Sequence, residues 1–244
     1  MDQLIKINSL SKSYFLINNE TKVLNNISFE IKENEIVGLL GPSGCGKSTI
    51  LNILSNLEKP TDGSIQVNCK MGYMFQKDAL LPWRNVYSNI CIGFEIQKDK
   101  NIDNLKYADQ LISKYKLKEF INSYPNELSG GMKQRVALIR TLVLKPDLLL
   151  LDEPFSALDA QTKLTVQNDV YSIIKQEKKS ALIVTHDISE AIALCDRIII
   201  LSERPAFIKK EIQISINNLS PLERRNNPLF SQFYADICTN LGII

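Results

Sequence analysis

The chain has 244 residues, 29 Lys and Arg against 27 Asp and Glu, a formal net charge of +2, and 44% hydrophobic residues. That balance is ordinary for a globular protein. It excludes a chain too polar to build a core and gives no strong electrostatic pull toward nucleic acid or a membrane surface. No apolar run approaches the ~20 residues needed to span a bilayer, and Met1-Asp-Gln-Leu-Ile-Lys6 lacks the basic-then-apolar layout of a secretory signal. The five cysteines (45, 69, 91, 195, 238) are an odd number without C-x-x-C spacing. They read as reduced cytosolic thiols, not as a disulfide frame or zinc site.

In chain order, strands are expected at 4–7, 23–31 and 36–40, with a turn at Asn18-Asn-Glu-Thr21. The third strand runs into Gly41-Pro42-Ser43-Gly44-Cys45-Gly46-Lys47-Ser48-Thr49, which opens a helix-patterned run. Strand, glycine loop and helix is the context that makes G-x-x-x-x-G-K-[ST] a phosphate site. The glycines let the backbone curl so that successive N–H groups point inward at phosphate oxygens. The helix start adds about half a positive charge. Lys47 supplies a full charge and the Ser48 hydroxyl a ligand for Mg²⁺. A nucleoside triphosphate is the expected ligand. Cys45 reads as a small filler of the loop, since no histidine lies nearby in sequence to activate it.

Short strands are expected at 63–67 and 71–75. From 85 to 144 the period is helical, with Leu105, Ala108, Leu111, Ile112 and Tyr115 on one face and Pro125 and Pro146 as punctuation. A helix is expected over 132–144. Three unbroken apolar runs follow, at 148–151, 181–184 and 198–201, as in strands buried on both faces of a parallel sheet. Helical segments near 159–178 and 187–195 separate them, a βαβ rhythm. The tail, 227–244, reads as a last helix with Leu229, Phe230, Phe233, Ile237 and Leu241 on one face. A helical middle is thus inserted into an α/β frame.

Asp152 ends the first apolar run and so projects from the carboxyl edge of a strand, where ligands sit in open α/β sheets. It is the expected acidic partner for the metal. Glu153 is the better candidate for deprotonating the attacking water. His186, the only histidine, follows another strand end, beside Asp187, and is expected to contact the γ-phosphate. Leu128-Ser129-Gly130-Gly131-Met132 opens the 132–144 helix and makes a second anion-binding nest with a hydroxyl donor. Two phosphate-binding ends and one obvious nucleotide predict a head-to-tail homodimer, each nucleotide clamped between two copies.

These residues resemble the ATPase subunits of ATP-binding cassette (ABC) transporters over nearly the whole chain. Walker A looks like 41–48, Walker B like 148–152 with Glu153 at the catalytic-base position, and the signature like 128–132. The D-loop resembles Ser156-Ala-Leu-Asp159 and the switch histidine matches His186. Gln76 matches the Q-loop glutamine, which in the family senses Mg²⁺ and water. Tyr14 is placed like the aromatic that stacks on adenine; the competing reading is an ordinary core tyrosine. Met132 departs from the usual glutamine that closes the signature.

The resemblance implies a P-loop NTPase core with a parallel sheet, an N-terminal antiparallel β subdomain and an inserted helical subdomain. The whole of 1–244 is one domain on this reading, with 1–84 and 146–244 as core and β subdomain and 85–145 as the helical part. It implies ATP and Mg²⁺ as ligands, a homodimer, separate transmembrane permease subunits, an extracytoplasmic solute-binding protein, no nucleic acid, and the cytoplasmic face of the membrane. Asp78-Ala-Leu-Leu-Pro-Trp-Arg84 and Leu201-Ser-Glu-Arg-Pro205 look like the importer branch for nitrate, sulfonates, taurine or pyrimidine-type precursors. Trp83 either packs within the helical segment or contacts a membrane subunit. On this reading no appended regulatory domain is expected. An exporter or lipid-trafficking ATPase, and a soluble non-transport ABC ATPase, are the rival readings.

Overall fold

The structure is a computed structural model and describes residues 2–16, 19–76, 78–216 and 219–243. β1 (Gln3–Leu16) lies between β2 (Asn19–Lys32) and β4 (Asp62–Val67) in an antiparallel three-stranded sheet. The expected turn at 18–21 is overturned at Asn19, Glu20 and Thr21, which pair with Leu16, Phe15 and Tyr14; Asn18 lies outside the described residues. Glu20 stands at the exposed end of the hairpin, where a strand position needs a backbone partner but no apolar side chain.

The second sheet is built from β3 (Ile36–Leu40), β5 (Met71–Met74), β6 (Leu148–Asp152), β7 (Ser180–Thr185), β8 (Arg197–Leu201) and β9 (Ile208–Gln213). Its order is β5-β6-β7-β3-β8-β9, with the first five parallel and β9 antiparallel to β8. The unbroken apolar runs are buried on both faces, and alternation divides them. Val37, Leu39, Leu148, Leu150, Leu182, Val184, Ile199 and Leu201 join the first sheet and the helix after the glycine loop in one cluster. Ile36, Leu40, Leu149, Leu151, Ala181, Ile183, Ile198 and Ile200 face the remaining helices in the other. Side chains of period two on a fully covered sheet give this division.

The helices are α1 (Lys47–Leu54), α2 (Val86–Ile96), α3 (Ile102–Lys114), α4 (Gly130–Leu142), α5 (Ala160–Gln176), α6 (Ile188–Leu194), α7 (Pro221–Arg225) and α8 (Pro228–Leu241). α4 begins two residues before the expected start at 132. Ser129 is its N-cap and accepts from Met132 N at 3.4 Å, so both glycines belong to the first turn. A Cβ on Gly130 would stand 2.9 Å from Leu158 Cδ2, and one on Gly131 2.8 Å from Val166 Cγ2. Glycine there lets α4 approach α5 and the loop before it closely, which offsets its poor helix propensity.

β9 and α7 were not anticipated. β9 reads Ile-Lys-Lys-Glu-Ile-Gln, too charged for a strand signal, and it is tolerated at an edge. In α8, Ile237 and Cys238 are buried, and Phe230, Phe233 and Leu241 pack on the core. Leu229, expected on that face, is 38% exposed in the first turn. Ile244 lies outside the described residues. Arg224, 1% exposed, ties the tail to the β8 entrance by donating to the Cys195 carbonyl at 2.7 Å.

Candidate active site

The phosphate loop sits at the carboxyl end of central strand β3. Gly44 and Gly46 have φ of 74° and 121°, values that only glycine adopts cheaply. A Cβ on Gly46 would meet Leu24 Cδ2 and Val23 Cγ1, both at 2.8 Å. Lys47 is 5% exposed and donates to the Gly41 and Pro42 carbonyls at 2.8 and 2.9 Å. Two of its three ammonium donors are thus used and one is left for a phosphate oxygen.

The caps add a second sign of fit. Among the described residues, side chains of Asn85, Asn101, Ser129, Asp159, Asp187, Ser220 and Asn227 cap α2 to α8, whereas α1 has no side-chain cap. Its first-turn N–H groups are therefore left for an anion. Cys45 is buried, and burial raises its thiol pKa against the pull of Lys47. A protonated filler, not a nucleophile, occupies that position.

Ser48 Oγ donates to Asp152 Oδ1 at 3.2 Å. Burial raises the Asp152 pKa, and only the Ser48 and Tyr73 hydrogen bonds and the Lys47 charge oppose it. A buried carboxylate beside a hydroxyl is a donor pair of hard oxygens that suits Mg²⁺. Tyr73 and Asn52 complete the arrangement: the Tyr73 hydroxyl lies 3.2 Å from Asn52 Oδ1 and 3.4 Å from Asp152 Oδ2. Neither was anticipated, because α1 and β5 meet β6 only through the folded sheet.

Glu153 follows β6 with φ of 43°, a left-handed conformation that costs a non-glycine residue about 1–2 kcal/mol. Its N–H donates to the Val184 carbonyl at 2.9 Å, binding the turn to the end of β7. Gln76 Nε2 donates to Glu153 Oε2 at 3.1 Å, and His186 Nδ1 lies 3.1 Å from Glu153 Oε1. Residues from the ends of β5, β6 and β7 thus converge on one carboxylate. Backbone strain at a residue so held is a mark of a functional site.

Among the described residues no hydrogen bond or ion pair joins 128–132 to 41–49; Ser129 instead caps its own helix. Tyr14 is 36% exposed in β1, and its hydroxyl donates to Glu58 at 2.5 Å. Lys12 Nζ lies 4.9 Å from its ring centroid. Trp83 is 71% exposed, so packing in the helical segment does not account for it. Arg204 was missed as a site residue. With Glu203 and Pro42–Cys45 it lines an open cleft of about 430 Å³, its Nη2 3.7 Å from where a Gly44 Cβ would stand. The stretch Leu201–Pro205 resembles the importer branch, but nothing local in it aims Arg204 at the phosphate loop.

The sequence profile of the ABC transporter family matches residues 24–156. An aliphatic sulfonates import ATP-binding protein of Bacillus anthracis is 40% identical over 237 residues, 93% of this chain and 92% of the relative. A taurine import ATP-binding protein of Jannaschia is 36% identical over 98% of this chain and 93% of the relative. Among solved structures, an ATP-binding cassette dimer in a post-hydrolysis state with ADP and Pi has a TM-score of 0.73 and 30% identity, covering 86% of this chain and 98% of its own. Among the described residues no helix is long and apolar enough to cross a membrane. The glycine loop, the acidic strand end and these likenesses agree: the chain belongs to the ABC transporter family, as an ATP-binding ATPase subunit.

Proposed function

We propose that this subunit dimerises head to tail on ATP, hydrolyses it, and drives import of a small solute through a separate membrane permease. The observation that carries the reading is the Glu153 carboxylate held between Gln76 and His186 at the sheet's carboxyl edge. Lys47 and the uncapped start of α1 bind the β- and γ-phosphates. Ser48, Asp152 and Gln76 would hold Mg²⁺, which would supply neutralisation of the phosphate charge. Glu153 accepts the proton of the attacking water, Gln76 orients that water, and His186 contacts the γ-phosphate. Tyr14 takes the adenine. Ser129, Gly130 and Gly131 serve the nucleotide of the opposite copy.

The helical part, 85–145, together with the exposed Trp83, faces the permease at the cytoplasmic side of the membrane. An extracytoplasmic solute-binding protein delivers the cargo. The importer names of the relatives support uptake of a sulfonate- or taurine-type solute. The test is capture of a multispanning membrane protein encoded beside this chain, followed by vesicle uptake of labelled taurine and alkanesulfonates. ATP-dependent uptake that is lost in Glu153→Gln supports the reading; solute extrusion, or the absence of any membrane partner, overturns it.

A further inference from the structure

His186 has a side chain 53% exposed and, among the described residues, forms a hydrogen bond only with Glu153. Its place therefore depends on the backbone corner that carries it. That corner is held from behind by a compact polar network. Glu190, with a side chain 4% exposed, accepts from Thr185 Oγ1 at 2.6 Å and from Lys163 Nζ at 2.5 Å. Lys163 Nζ also binds Asp187 Oδ2 at 2.9 Å. Asp187 N donates back to Thr185 Oγ1 at 3.0 Å, and Asp187 caps α6 by accepting from Glu190 N at 3.1 Å. The residues on both sides of His186 are thus fastened to one ammonium.

Lys163 belongs to a different element. It lies in the first turn of α5, where its N–H donates to the carbonyl of the N-cap Asp159 at 2.8 Å. Asp159 ends the Ser156–Asp159 stretch, which returns to Glu153 because Ser156 N and Oγ both donate to the Glu153 carbonyl. One lysine therefore joins the turn after Glu153 to the corner of His186. Burial works against its charge, yet the Asp187 and Glu190 hydrogen bonds hold the Lys163 pKa above the usual value. The same lysine helps to hold Asp187 below the carboxylate range, again against burial.

We propose that Lys163 is a positioning residue for hydrolysis: through Asp187 and Glu190 it fixes the corner that presents His186, and it couples that corner to the turn beginning at Glu153. The inference rests on the reading of His186 as a γ-phosphate contact. A lesser role, neutralising the buried Glu190, is the competing outcome.

Four variants separate the possibilities: Lys163→Met, Lys163→Arg, the double Lys163→Met/Glu190→Gln, and His186→Ala. ATP turnover, ATP affinity and thermal unfolding are measured on each. The imidazole Cε1–H line of His186, the only histidine, is a single-residue proton NMR reporter. Lys163→Met is expected to lose turnover by about tenfold or more with ATP affinity nearly unchanged, the split of an effect on the transition state. Its histidine line should move, and Lys163→Arg should restore both line and turnover. The double variant removes the unpaired charge at the buried Glu190 and leaves only the half-buried Asp187 without its ammonium, so it should recover part of the lost thermal stability but neither turnover nor the parental line. Recovery of all three would reduce Lys163 to charge balance and overturn the proposal, as would parental turnover in Lys163→Met. Parental turnover in His186→Ala would instead sink the reading of His186 itself. If Lys163→Met does not fold, the double variant carries the decision.

Discussion

Replacing Glu153 by glutamine isolates the proton-accepting role from every other role of that residue. Glutamine has the same length and branching, so it bears the same left-handed φ of 43° and keeps an amide oxygen for Gln76. Stability should therefore change by no more than about 0.5 kcal/mol, as for a substitution that creates no cavity, clash or buried orphan. What disappears is the base. A positioned general base contributes about 10²–10⁴ in rate, which is about 2.7–5.4 kcal/mol at about 1.36 kcal/mol per decade. Lys47 and the α1 start are untouched, so ATP affinity should stay within about threefold, or about 0.7 kcal/mol. Single-turnover release of γ-labelled phosphate gives the rate, a fluorescent nucleotide gives affinity, and sedimentation gives the oligomer. The expected result is a slow, ATP-loaded dimer. Hydrolysis at the parental rate would refute Glu153 as the base. Joint loss of binding and turnover would place Glu153 among the groups that hold nucleotide.

Gly46→Ala meets both a φ of 121° and two methyl groups at 2.8 Å. Strain of about 1–3 kcal/mol and overpacking of about 1–3 kcal/mol should add, lowering the unfolding midpoint by about 2–4 °C per kcal/mol and weakening ATP binding; an unchanged midpoint would contradict the geometry. Glu177 ties α5 to α3 by accepting from Lys114 and Tyr115, both at 2.6 Å. Burial alone would raise its pKa, but these bonds hold it below the ordinary 4.5. A depressed carboxylate contributes stability above its unfolded pKa and loses it as pH falls through the folded value. The deficit of Glu177→Gln in thermal midpoint should thus be full at neutral pH and shrink below about pH 4.5; a deficit that persists in acid would remove the ionic explanation.

Much of this was legible in the sequence because it is local. Gly44, Gly46, Lys47 and Ser48 are neighbours in one loop, and backbone curl follows from their own φ preferences. The unbroken runs at 148–151, 181–184 and 198–201 announced buried parallel strands. The expectations failed where a longer-range contact overrode local preference. Asn19–Thr21 joined a strand because β1 offered backbone partners. Gly130 and Gly131 entered a helix because Leu158 and, from α5, Val166 lie against them. β9 escaped notice because an edge strand buries little and so carries little hydrophobic signal.

Local residue order dictates the chemistry at hand: a phosphate cradle, an acidic strand end, a lone histidine after another strand, and an apolar alternation able to fill two core faces. The fold decided which of these touch. By setting β6 beside β5 and β7, it brought Gln76 and His186 onto Glu153, Tyr73 onto Asp152, and Lys163 behind the His186 corner. Strand order is a property of the packed sheet: each run is apolar enough to sit at several places in it, and only mutual burial of all of them selects one.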